Sequence, residues 1–222
     1  KAPFDNVKVR QALNYAVDKK AIIDAVYQGA GTAAKNPLPP TIWRYNESIQ
    51  DYPYDPEKAK QLLAEAGYPN GFETDFWIQP VVRASNPNPK RMAELVMADW
   101  AKVGVKANPV TFEWADYQKR AKAGELTAGI FGWSGDNGDP DNFLSPLLAS
   151  ANAGNSNFAR FKNAEFDALL DKAIGLTNKD ERAALYKKAQ VIFHEQAPWI
   201  PVAHSVGFAP LSPRVKGYVQ NP

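Results

Sequence analysis

Apolar residues recur at helical spacing from the start of the chain. Val9, Leu13, Ala16 and Val17 follow the cap-forming pair Asp5-Asn6, and Ile22, Val26 and Tyr27 follow Asp18, with Gly29 placed to end the second helix. Asp55-Pro56-Glu57 joins a capping side chain, a first-turn proline and an acid at the positive helix end; Leu62, Leu63 and Ala66 form the stripe behind it, and Gly67 stops it. Met92, Val96, Trp100 and Val103 are spaced four, four and three apart, which is one face of a helix. Further helices are predicted over 114–122, 164–174 and 179–195, the last opened by Asn178 and Glu181 in a capping-box arrangement, and a short one after Asp139-Pro140. Shorter apolar runs over 72–78, 105–112, 126–133 and 199–209 predict strands. Residues 31–53 carry four prolines and read as a loop that exposes Trp43-Arg44-Tyr45.

Helices and strands that alternate in this way predict an α/β class, or α+β with a mixed sheet, and the absence of a repeat or linker predicts a single lobe over 1–222. The apolar share of 45% and charged share of 23% are those of an ordinary globular protein. Net charge is only +2, from 26 basic and 24 acidic residues without a basic block, so an electrostatic grip on nucleic acid or anionic membrane is not expected. With no cysteine, a thiol nucleophile, a disulfide framework and a cysteine zinc site are excluded. No apolar run approaches the ~20 residues of a membrane helix. A start at Lys1-Ala2-Pro3 and an end at Tyr218-Val-Gln-Asn-Pro222 read as cuts within a longer protein, with any signal peptide outside them.

Catalytic patterns are missing. The two histidines, His194 and His204, stand apart and read as structural or surface residues; no HExxH, GxSxG, Walker A or GxGxxG pattern occurs. The acidic run Asp136-Asn-Gly-Asp139-Pro-Asp141 departs from the EF-hand template, with glycine third and Leu147 twelfth. A hydrolase would have to use Asp136 and Asp139 as acid and base, and nothing in the sequence separates their pKa values. No catalytic residue, metal or cofactor is therefore expected.

Two loops stand out, Gln79–Pro89 and Gly132–Pro140, each after a predicted strand and before a predicted helix. Ligands of open α/β sheets sit at the carboxyl ends of strands, where such loops gather. Taken singly, the residues have plainer readings: Arg83 as a solvated loop residue, Asp136 and Asp139 as turn or cap residues (Asp139 only as a cap), and Trp133 as core.

Longer stretches change these odds. Val7-Lys-Val-Arg-Gln-Ala-Leu-Asn-Tyr-Ala-Val-Asp-Lys19, Tyr54-Asp-Pro-Glu-Lys-Ala-Lys-Gln-Leu-Leu-Ala-Glu-Ala-Gly67 and Lys216-Gly-Tyr-Val219 resemble the C-terminal lobe of the peptide- and nickel-binding proteins of bacterial ABC importers. Trp133-Ser-Gly-Asp-Asn-Gly-Asp-Pro-Asp-Asn-Phe143 resembles the dipeptide-binding branch. The resemblance implies a mixed-sheet lobe of a type II periplasmic binding protein, with the N-terminal lobe absent. It implies a dipeptide or short-peptide ligand, an inner-membrane ABC permease as partner, a periplasmic location and no enzymatic activity. Residue by residue, it places Asp136 on the ligand's α-ammonium and Arg83 on its carboxylate. The main chain of Gly132, Trp133 and Ser134 would pair with the peptide backbone, with the Trp133 ring against it. The terminal charges of an extended dipeptide lie roughly 6–7 Å apart, so two fixed opposite charges would read length and polarity, and roomy pockets would leave side chains unread. Two departures bear on the ligand: Ser85 stands where relatives carry tyrosine, and the disulfide some relatives hold after the aspartate loop is missing. Oligopeptide, glutathione, haem and nickel-chelate ligands remain alternatives within the family.

Overall fold

A computed structural model describes residues 1–219; Gln220, Asn221 and Pro222, part of the C-terminal run taken above as a cut, lie outside the described residues. The first three helices begin where the caps predict. Asn6 accepts the Lys8 N–H ahead of α1 (Val7–Tyr15), Asp18 accepts the Ala21 N–H ahead of α2 (Lys19–Tyr27), and Asp55 accepts the Lys58 N–H ahead of α3 (Pro56–Glu65). Each satisfies a backbone donor that a helix start leaves without an internal partner. Between α2 and α3 lies the short strand β1 (Gly31–Ala33), inside the stretch expected to be all loop.

A three-stranded parallel sheet follows in the order β3-β2-β4. Its strands are β2 (Glu73–Trp77), β3 (Lys106–Val110) and β4 (Ala128–Gly129), with α4 (Pro89–Lys102) and α5 (Trp114–Ala123) as the crossovers. The run 126–133 forms only a two-residue strand. Strand β4 sits on the sheet edge, and its pairing with β2 ends where Ile130 donates to the Trp77 carbonyl, so residues beyond Ile130 find no ladder partner among the described residues. Likewise 199–209 pairs only over β5 (Ala203–Ser205), because its antiparallel partner β1 is equally short; single bonds from Ala34 to Val202 and from Val206 to Ala30 extend the ladder at each end.

Helices α6 (Asp141–Leu148), α7 (Ala164–Ile174) and α8 (Lys179–Gln196) make a second layer. Asn178 caps α8 by accepting from both Asp180 and Glu181. One core lies between α1, α2, α3, α4 and the sheet, with Val9, Ile22, Leu63, Ala93 and Val105 sealed from water; another joins Leu38 to Leu144, Phe166, Leu170 and Phe193. Contrary to expectation, Trp43-Arg44-Tyr45 is half-buried: Trp43 stands edge-on to Tyr186 at 6.2 Å beneath the Arg182 guanidinium, and Gln190, fully buried in α8, donates to the Arg44 carbonyl.

The helices and small sheets agree with the α/β class read from the sequence, with the parallel and antiparallel strands in two separate sheets rather than in one mixed sheet.

Candidate ligand-binding site

Because β2 and β4 are parallel neighbours, the loops that follow them leave from the same edge of the sheet. Their contact is direct. A Cβ placed on Gly132 would lie 2.2 Å from Ser85 Oγ and 2.8 Å from Ser85 Cβ, so the second loop passes over the first where only glycine fits.

The first loop is tied down at its turn and at its carboxyl end. Arg83 and Asn86 exchange backbone hydrogen bonds of 3.1 and 2.9 Å. The buried Tyr27 of α2 donates its hydroxyl to the Ser85 carbonyl at 2.8 Å, and burial pushes that phenol up to about 12, so it stays a donor at any physiological pH. Asn86 is buried, accepts from the Asn88 N–H and donates to Met92 Sδ; Asn88 in turn caps α4, with Pro89 at its first position. Local turn chemistry thus fixes the backbone from which Arg83 projects. Its side chain is exposed, with the guanidinium over the Trp114 ring, 5.4 Å from the centroid.

Asn142, in the first turn of α6, organises the second loop. Its carbonyl accepts the Trp133 indole N–H at 3.1 Å, and its side-chain oxygen accepts the Asp136 N–H at 2.9 Å. Gly135 lies on the Phe143 ring, where a Cβ would stand 2.5 Å from a ring carbon. Trp133 is 40% exposed and so is a surface residue, not the core residue its sequence context suggested. Asp139 does more than cap: it accepts the Asp141 N–H and forms an ion pair with Arg182 at 3.1 Å, which ties the loop to α8. Asp136, by contrast, is exposed, and its carboxylate makes no hydrogen bond or ion pair among the described residues.

Two exposed, opposite charges therefore stand on two touching loops, and neither Arg83 nor Asp136 has an ionic partner among the described residues. Beside them, the N–H and C=O groups of Gly132, Trp133 and Ser134 make no hydrogen bond to the described residues, leaving this exposed main chain open to a partner. Sequence reasoning missed the supporting residues Tyr27, Trp114 and Asn142. Tyr27 and Trp114 look like ordinary core aromatics, and Asn142 follows an Asp-Pro-Asp run that reads only as a helix start.

Among the described residues no three His, Asp or Glu side chains cluster. His194 stacks on Tyr52 at 4.4 Å, while His204 lies on β5, its imidazole held down to about 4 by burial and then by the positive charge of Lys19. No helix of the described residues is long and apolar enough to cross a membrane.

Parallel strands with helical crossovers, and exposed loops gathered at their carboxyl ends, match the periplasmic-binding-protein fold. The chain belongs to family 5 of the bacterial extracellular solute-binding proteins, whose middle-region model matches residues 1–155. It is 88% identical over 222 residues to heme-binding protein A of Haemophilus influenzae, covering 100% of this chain and 41% of that protein. It is 55% identical over 223 residues to the dipeptide-binding protein of Escherichia coli K12, covering 100% of this chain and 42% of that protein. The structure of a dipeptide-binding protein from Pseudoalteromonas sp. SM9913 in complex with Met-Leu superposes with a TM-score of 0.89 at 44% identity, over 92% of this chain and 41% of that one. The chain thus spans about two fifths of the length of these relatives.

Proposed function

We propose that this chain is the ligand-holding lobe of a solute-binding component of a bacterial ABC importer, and that its ligand is a dipeptide. In this reading Asp136 pairs with the α-ammonium, Arg83 receives the carboxylate, and the open backbone of Gly132–Ser134 adds the peptide as a short strand, with Trp133 against it. One observation carries the reading: two touching loops each present an exposed charge without an ionic partner among the described residues, opposite in sign, beside unbonded main chain. Arginine can fork onto a carboxylate, and charge-assisted bonds strengthen once water is excluded. A second lobe, supplied by the remainder of a protein as long as the relatives, would close over the ligand by hinge bending. Delivery to a membrane permease from the periplasm follows from the family's role, and the protein performs no chemistry on its cargo.

A second reading takes haem as cargo, because the relative at 88% identity is named for haem binding. Haem iron takes His, Cys, Met or Tyr as protein ligands, and neither loop, 79–89 or 132–140, carries one of these. The charged loops suit a peptide better. Thermal-shift and calorimetric titration of the full-length protein with Met-Leu and with haemin decides between them. The dipeptide reading expects stabilisation by Met-Leu that is lost in Arg83→Ala and in Asp136→Ala. Stabilisation by haemin alone, with no response to Met-Leu, would overturn it.

A further inference from the structure

We infer that Trp114 is the positioning residue for Arg83: its ring carries the guanidinium and aims it at the ligand's carboxylate. This rests on the dipeptide reading of the site. The Arg83 side chain makes no hydrogen bond and no ion pair among the described residues; the contact that holds its guanidinium is the Trp114 ring, 5.4 Å away.

A ring suits this task better than an acid. An acidic partner would neutralise the guanidinium and occupy the N–H edge that must grip a carboxylate, whereas an aromatic face attracts the cation and leaves the N–H donors free. The ring is itself anchored to the sheet. Trp114 is the first residue of α5 and stacks on Tyr117 at 5.7 Å, with 25° between the planes. Tyr117 is fully buried, and its hydroxyl reaches the carbonyls of Trp77 and Ile130 at 3.2 and 2.9 Å, at the carboxyl ends of β2 and β4. The order is therefore sheet, Tyr117, Trp114, Arg83. The strand ends that launch both loops also hold the aromatic stack on which the arginine rests.

The test is calorimetric titration of the full-length protein with Met-Leu and with Met-Leu-amide, which lacks the carboxylate. Native protein should prefer the acid, and Arg83→Gln should abolish that preference. Trp114→Leu should weaken Met-Leu binding by about two- to fivefold, the worth of an exposed cation–π contact, and leave Met-Leu-amide unchanged. Trp114→Phe, which keeps a ring, should fall between, and it reads the same ratio where the leucine variant unfolds. A merely structural tryptophan would lower both affinities together. Equal losses for acid and amide, or no loss for either, in a protein where Arg83→Gln is selective, would overturn the role of Trp114 alone. A native protein that ignores Met-Leu, or an Arg83→Gln variant with the native acid-to-amide ratio, would overturn the reading of the site and the inference with it.

Discussion

Separating this 222-residue chain from the rest of a relative-length protein should leave a folded lobe that binds dipeptide weakly. The expectation follows from where the anchors stand. Arg83 and Asp136 are exposed and Trp133 is 40% exposed, so on this lobe alone the ligand's charges would stay largely in water. An ion pair in that setting contributes about 0.2–1 kcal/mol, whereas breaking a desolvated, hydrogen-bonded pair costs about 2–5 kcal/mol. Two anchors that each lose roughly 1–5 kcal/mol together lose at least about 2 kcal/mol, or roughly 30-fold or more in affinity at about 1.4 kcal/mol per decade. Three buried apolar clusters are built from the described residues themselves, so the loss should not reflect unfolding. Calorimetry of the chain and of the full-length protein against Met-Leu makes the comparison, with circular dichroism of the chain as the folding control. Residual binding by the chain should also fade as salt rises from 0.01 to 0.15 M, because the Debye length shortens from about 30 to about 8 Å. Equal affinities within about threefold would refute the reasoning, since closure would then contribute nothing.

Four further outcomes are expected. Gly132→Ala should cost roughly 1–3 kcal/mol of loop fit, because its Cβ would meet Ser85 Oγ at 2.2 Å; peptide affinity measured by calorimetry should fall, and the added change Ser85→Gly should restore it. Asp139→Ala should lower the thermal midpoint by breaking the pair with Arg182 while sparing Met-Leu affinity, and Asp136→Ala should do the reverse; equal effects on both readouts would unseat the division of roles. Asp51→Ala should destabilise by about 2–4 kcal/mol in urea melts, because it strands Lys19, which is 6% exposed and 2.5 Å from Asp51; the double change with Lys19→Met should recover most of the loss. Burial lowers the His204 pKa to about 4 against 6.5 for the free group, so the unfolded chain binds the proton more tightly. Stability should therefore fall as pH drops from about 6.5 towards 4, by at most about 3 kcal/mol, and the slope in that window should flatten in His204→Asn.

Helices were legible because their information is local. Asn6, Asp18, Asp55, Asn163 and Asn178 sit where their side chains cap helices, and such pairings need no knowledge of the rest of the fold. Strand length is not local. The runs 126–133 and 199–209 have the composition of strands, yet each ladder ends where its partner ends, at Trp77 on β2 and within the short β1. A sequence shows a segment's readiness to pair and says nothing of how much partner it will find. Trp43-Arg44-Tyr45 was misread for a related reason: a proline-rich loop looks solvated until α8 supplies Gln190, Arg182 and Tyr186 to cover it.

The candidate site divides along the same line. Arg83 and Asp136 were singled out because each belongs to a loop after a predicted strand and because the family resemblance places each on a ligand terminus; the structure adds that the loops touch at Gly132 and Ser85. What holds those residues in place lies in contacts over large sequence separations: Tyr27 to Ser85, Asn142 to Trp133 and Asp136, Tyr117 to Trp77 and Ile130. The shortness of β4, an error of the sequence reading, belongs to this arrangement. A strand paired with β2 beyond Ile130 would have turned the N–H and C=O groups of alternate residues in Gly132–Ser134 into the sheet. Ending the ladder at Ile130 leaves that backbone without a hydrogen-bond partner among the described residues, beside Arg83 and Asp136, and under the proposed reading a peptide would complete this edge of the sheet.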